Sequence, residues 1–70
     1  MNDRFEVVAR FDGPGAWSDA ETIRLRLESA GIPAVVAGDR HAPFSLFLPG
    51  LVRVEVRATD ADDARSLVGD

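Results

Sequence analysis

The chain has 70 residues, 46% of them hydrophobic and 29% charged, with twelve acids against eight bases and a formal net charge of -4. That length predicts a single domain over 1-70 that buries only about 60% of its unfolded surface; with no cysteine and one histidine, disulfides and metals are not expected to reinforce it, which leaves self-association. The acid excess argues against nucleic acid as a partner, because phosphate binding draws on clustered bases, and here every base is an Arg interspersed with acids.

MNDRFEVVAR places Asp3, Arg4, Glu6 and Arg10 where a secretory signal needs an unbroken apolar stretch, and no run approaches the roughly 18 apolar residues of a membrane span. With the lack of cysteine, this predicts a cytoplasmic protein that does not engage a membrane. Within the segment, Phe5, Val7, Ala9 and Phe11 alternate with Arg4, Glu6, Val8 and Arg10, the period of two of a half-buried strand. FDGPGAW then breaks any regular element at Gly13, Pro14 and Gly15. Ser18 and Glu21 have the spacing of a capping box. The helix it introduces carries an apolar stripe of Ala16, Ala20, Ile23, Leu27 and Ala30, while Glu21, Arg24 and Glu28 can pair outside the stripe.

SAGIPAVVAG switches the chain from helix to strand. Gly31 can adopt the left-handed conformation that closes a helix, Ile32 folds back onto Leu27, and Pro33 forbids continuation. Pro33 also biases Ile32 towards extended backbone, so a second strand starts at Ala34-Val35-Val36-Ala37. GDRHAPFSLFLPG reads as a long hairpin connection with a short extended piece. LVRVEVRA then alternates Val52, Val54 and Val56 against Leu51, Arg53, Glu55 and Arg57, a third strand. Thr59 or Asp60 is positioned to cap a short last helix, with Asp62 and Asp63 at the positive end of its dipole and Ala61, Ala64, Leu67 and Val68 on its apolar side.

The order strand, helix, strand, strand, helix predicts an α+β ferredoxin-like βαββα sandwich: a three-stranded antiparallel sheet with two helices on one face. A right-handed first crossover leaves room for the third strand between the first two. The sixth element of the full pattern, a strand beside the first, has no counterpart, so Phe5 to Phe11 lie at an open edge.

AETIRLRLESAGIPAVVAGD followed by LPGLVRVEVRATDADDARSL resembles the putative prokaryotic signal-transducing protein family, small bacterial domains similar in fold to the nitrogen-regulatory PII proteins. The shared features are a helix ending in L-E-x-x-G-I-P-A, a loop closing with L-P-G, a V-R-V strand and an acidic D-A-x-x-A helix. They span nearly the whole chain. The resemblance implies a PII-like regulatory or interaction module rather than a reaction. The longer Lys- and Arg-bearing nucleotide loop of true PII proteins has no equivalent here, so no cofactor is expected. The D-G-P-G entrance is also similar to ACT domains, which bind amino acids near their first loop and helix. On that alternative, Asp12, Gly13 and Gly15 would hold a small molecule such as an amino acid or nucleotide, joined by Arg40 and His41 if the two loops converge, although turn chemistry alone accounts for the glycines.

No constellation for catalysis stands out. His41 has an acid and a guanidinium beside it but no orienting partner, and Ser18, Ser29, Ser45 and Ser66 are each explained as cap, helix-surface or loop residues. The chain is therefore not expected to be an enzyme or to hold a metal. RNA recognition would need rings on the open sheet face, where the alternation places Arg4, Glu6, Val8 and Arg10 beside Arg53, Glu55 and Arg57. The strongest functional signal is a surplus of large apolar side chains at Trp17, Phe44, Leu46, Phe47 and Leu48, either a binding surface or a cap on the core. Together with Phe5, Val7 and Phe11 they make the expected surface for self-association as a dimer or for docking a protein partner.

Overall fold

The computed structural model of the chain describes residues 4-38 and 51-69. The elements run β1 (Phe5–Phe11), α1 (Ala16–Ser29), β2 (Ala34–Gly38), β3 (Val52–Arg57), a 3-10 turn (Ala58–Asp60) and α2 (Ala61–Val68). The strands form one sheet in the order β1-β3-β2, with β3 antiparallel to both neighbours. This is the expected α+β, ferredoxin-like arrangement, with the third strand lodged between the first two.

β3 supplies the centre because its side chains separate by hydropathy at every step. Val52, Val54 and Val56 are buried to 2%, 0% and 0% exposure and join Ala16, Ala20 and Leu27 of α1 and Ala61 and Ala64 of α2 in one core cluster. Both helices therefore cover the valine face. The small alanines let the helix backbones approach the sheet, so the bulk of the core comes from Leu27 and the three valines.

The α1 terminus shows how strongly local chemistry dictates the fold. Gly31 has φ +87°, the Ile32 N–H donates to the Leu27 carbonyl at 2.9 Å, and the Gly31 N–H donates to the Glu28 carbonyl at 2.9 Å. This is the paired bonding of a Schellman motif, with Ile32 and Leu27 both in the buried cluster. Pro33 follows and β2 begins at Ala34, as the Gly-Ile-Pro run requires. β2 reaches one residue beyond the expected Ala37, to Gly38.

Three details of the sequence reading are corrected. α1 starts at Ala16 rather than at a Ser18 cap. Gly13, at φ +91°, forms a turn closed by the Ala16 N–H on the Gly13 carbonyl, and Gly15 takes the N-cap position with no side-chain bond. Ser18 instead lies within the first turn, where its carbonyl accepts from Thr22 Oγ1, and Glu21 accepts from Arg24. Ala30 is exposed at the C-cap, so the stripe ends at Leu27. Asp60 occupies the N-cap position of α2, but neither it nor Thr59 makes a capping side-chain bond; the 3-10 turn winds straight into the helix.

The larger correction concerns β1. Phe11 pairs with Val52, Arg10 with Arg53 and Ala9 with Val54, but then Val7 pairs with Glu55, Glu6 with Val56 and Phe5 with Arg57. Val8 is an extra residue, a β-bulge, and beyond it the strand changes face. Ala9 and Phe11 share the core face with Val54 and Val52, and Val8 packs against the core too. Phe5 and Val7 lie on the opposite face with Arg57 and Glu55. Period-two alternation, which placed Phe5 and Val7 with Ala9 and Phe11, fails at one residue.

If the Schellman turn and the Leu27 contact hold the small core, urea unfolding of Leu27→Ala will show a loss of about 3 kcal/mol, and Gly31→Ala a loss of about 1 kcal/mol from forcing a Cβ into the left-handed region. Equal, near-zero losses would show that the α1 terminus does not anchor the core.

Candidate functional site

Among the described residues, helices cover one side of the sheet only, and the register defines what the other side presents. Across it, Phe5 stands opposite Arg57; Val7, Glu55 and Val35 form the next row; Arg10, Arg53 and Ala37 form the third. Leu51, also exposed, directly precedes β3. Among the described residues, the exposed large hydrophobics are Phe5 at 48%, Val35 at 48%, Leu51 at 52% and Leu25 at 57%. Phe5 and Val35 belong to the sheet face away from the helices, where Val7 joins them.

Its charges are uneven. Arg10 and Arg53 are directly opposed across β1 and β3, and like charges at such positions destabilise a sheet. Arg53 turns to its own strand for relief, its Nε donating to Glu55 Oε2 at 3.1 Å. Arg10 and Arg57 have no ion pair among the described residues. Three guanidiniums against one carboxylate leave this face at +2 by count (3 - 1), on a chain whose total is -4.

At the far border of the sheet, Arg65 of α2 donates from Nη2 to Glu6 Oε1 at 3.0 Å, and the same nitrogen lies 3.5 Å from the Val7 carbonyl at the bulge. Glu6 can be reached by a helix because the bulge has put it on the helix side. The Ala58 N–H donates to the Arg4 carbonyl at 2.8 Å, tying the strand's start to the 3-10 turn. Among the described residues β1 has no strand partner besides β3, so the expected open edge is present, although the bulge interrupts it.

The outer face of α1 carries a separate ion-pair ladder. Arg24 donates from Nε to Glu21 Oε1 at 2.8 Å and from Nη1 to Glu28 Oε1 at 2.9 Å. The hydrogen bond to Glu21, against a lesser opposing desolvation, raises the guanidinium above its ordinary value. A raised folded-state value favours folding below the ordinary arginine range and loses that effect only above it, so this ladder adds no pH dependence near neutrality.

The first loop is built as a turn. Asp12 is exposed at its entry, Gly13 bends it, and the N–H groups of Ala16 and Asp19 are bonded to the carbonyls of Gly13 and Gly15. Trp17 leaves the loop for the core: it packs partly buried against the cluster, and its ring crosses Gly38 so closely that a Cβ there would meet Trp17 Cζ2 at 2.8 Å. The end of β2 thus requires glycine for packing rather than for turn geometry. Phe11 also contacts the core. Of the apolar surface proposed from sequence, Phe5 and Val7 come together on the open face; Arg40, His41, Phe44, Leu46, Phe47 and Leu48 lie outside the described residues. A shallow depression of about 270 Å³ at the α1 terminus, lined by Glu28, Gly31, Ile32 and Pro33, offers one carboxylate and no second polar side chain.

The alternation placed no ring on the open face, whereas the bulge puts Phe5 there. Arg10 and Arg53 share that face as the alternation placed them, and β1–β3 pairing sets them directly opposite; Val35 and Ala37 are features of the face that the sequence reading missed, and the pairing of β2 with β3 was needed to find them. Among the described residues, no group of His, Cys, Asp and Glu is placed to hold a metal ion, and no helix is long and apolar enough to cross a membrane.

A three-stranded antiparallel α+β sheet of ferredoxin-like topology with two helices on one face defines the structural class. The family model described as "Putative prokaryotic signal transducing protein" matches residues 17–70, and the chain belongs to that family. Comparisons with curated proteins and with solved structures give no match.

Replacing Arg10 by Glu sets an acid opposite Arg53 in place of a like charge. Chemical denaturation of Arg10→Glu will show a gain of roughly 0.5 kcal/mol; a loss of that size would mean the two arginines are not opposed.

Proposed function

We propose that this chain is a regulatory interaction module in signal transduction, acting through its exposed sheet by self-association or by docking a protein partner, and that it performs no chemistry of its own. The family description supports the signalling role at its coarsest. The observation that carries the rest is a sheet whose border strands β1 and β2 each have one strand neighbour among the described residues, with the face beside them uncovered. An unpaired border strand presents backbone donors and acceptors in register for another strand, so a second copy can extend the sheet by antiparallel pairing along β1. The bulge at Val8 shortens the regular stretch available, which suits a reversible dimer better than an obligate one. Burial also fits a module of this kind: every buried residue among those described is apolar, whereas active sites characteristically hold perturbed polar groups in clefts.

The small-molecule alternative draws less support from the first loop. Two of the N–H groups that could face an anion there, those of Ala16 and Asp19, are already bonded within the turn.

Sedimentation equilibrium over a rising concentration series tests the proposal when paired with hydrogen exchange. Average mass will climb towards that of a dimer at high micromolar concentration while amides in residues 5–11 exchange more slowly. A monomer throughout, with unchanged exchange in β1, would overturn self-association.

A further inference from the structure

We propose that the uncovered face of the sheet, as distinct from its edge, docks an acidic amphipathic helix of a partner protein. Two independent observations point there. Phe5 and Val35, two of the four large hydrophobic residues left exposed among the described residues, share that face with Val7, and the exposed Leu51 directly precedes β3. Interleaved with them are Arg10, Arg53 and Arg57, of which only Arg53 has an ion-pair partner among the described residues.

The charge decides the occupant. Face-to-face contact with a second copy would set three guanidiniums against three, because a two-fold interface meets itself. A single-stranded nucleic acid would meet Glu55 in the middle row and one ring, Phe5, where base stacking uses several aromatic platforms. Aliphatic side chains flanked by arginines instead match a helix with a leucine stripe bordered by carboxylates, which accept paired hydrogen bonds from guanidinium. A helix is also the element that completes the layers: the opposite face already carries α1 and α2, and a bare sheet face is stably covered by helix or sheet. A negative partner segment would place a counter-charge over the Arg10–Arg53 opposition, so docking relieves repulsion present in the free chain. This inference concerns the face alone and holds whether or not β1 pairs with a second copy.

The probe is a designed amphipathic helical peptide with Leu along one face and Glu on both flanks, alongside a twin with Lys in place of Glu. Titrated into the isotopically labelled full chain, the Glu peptide will shift backbone amides of residues 5–7, 35–37 and 53–57 saturably, and the Lys twin will not. Arg10→Glu will weaken binding by about tenfold while leaving the chain at least as stable as the parent, a combination that a purely structural role for Arg10 does not produce. Arg57→Glu gives the same weakening from a second position. The proposal is overturned if the Glu peptide gives no saturable shifts on this face, if both peptides bind alike, or if the shifts map to the outer surfaces of α1 and α2. It is equally overturned if raising the protein concentration alone reproduces the shifts at residues 35–37 and 53–57, which pairing along the free edge of β1 leaves in place, or if a uridine-rich RNA oligomer occupies the face and the peptide does not.

Discussion

The structure depends on the burial of three valines from one central strand. Val52, Val54 and Val56 sit in β3 with a neighbour on each side, and each is buried beneath α1 or α2. Among the described residues, these valines and Leu27 are the largest fully buried side chains, since α1 and α2 otherwise contribute mostly alanines to the contact. Fixing the valines inward fixes Arg53, Glu55 and Arg57 outward. Whatever β1 and β2 place opposite those three residues becomes the exposed face of the protein.

The bulge at Val8 is therefore the point at which fold becomes function. A regular β1 would turn Phe5 and Val7 into the core and show charge to solvent; the extra residue reverses them. It also swings Glu6 beneath α2, where Arg65 meets it, and breaks the continuity of an edge that could otherwise invite uncontrolled pairing. One inserted residue thus accounts for an apolar open face, a helix-to-strand ion pair and a blunted border. The Arg10–Arg53 opposition sits on the regular side of the bulge and has no structural benefit in the isolated chain, the pattern seen where local stability is traded for recognition.

Much of this was legible wherever local chemistry alone decides. Gly-Ile-Pro forces a helix end and a strand start through three separate backbone effects, and the structure contains each. The alternation of LVRVEVRA is equally decisive because valine and charge never share a face. RFEVVARF is different: with valine at both 7 and 8, either phase of alternation buries a valine, and only pairing with β3 selects between them. The Ser18–Glu21 spacing satisfies a capping box, yet the Gly13 turn starts the helix earlier and Arg24 claims the Glu21 carboxylate. For the candidate surface, Phe5 and Val7 could be named from sequence, but their association with Val35 and three arginines arises from cross-strand register, which no local pattern encodes.

Among the described residues, the face opposite the helices mixes apolar side chains with three arginines, and that composition follows from the register of β1 against β3. The central claim is the reversal of β1 at Val8, and cross-strand nuclear Overhauser effects from the Val7 backbone test it most directly. The account predicts contacts from Val7 to Glu55; contacts from Val7 to Val56 instead would mean a regular strand, with Phe5 turned into the core and no apolar face for a partner to meet.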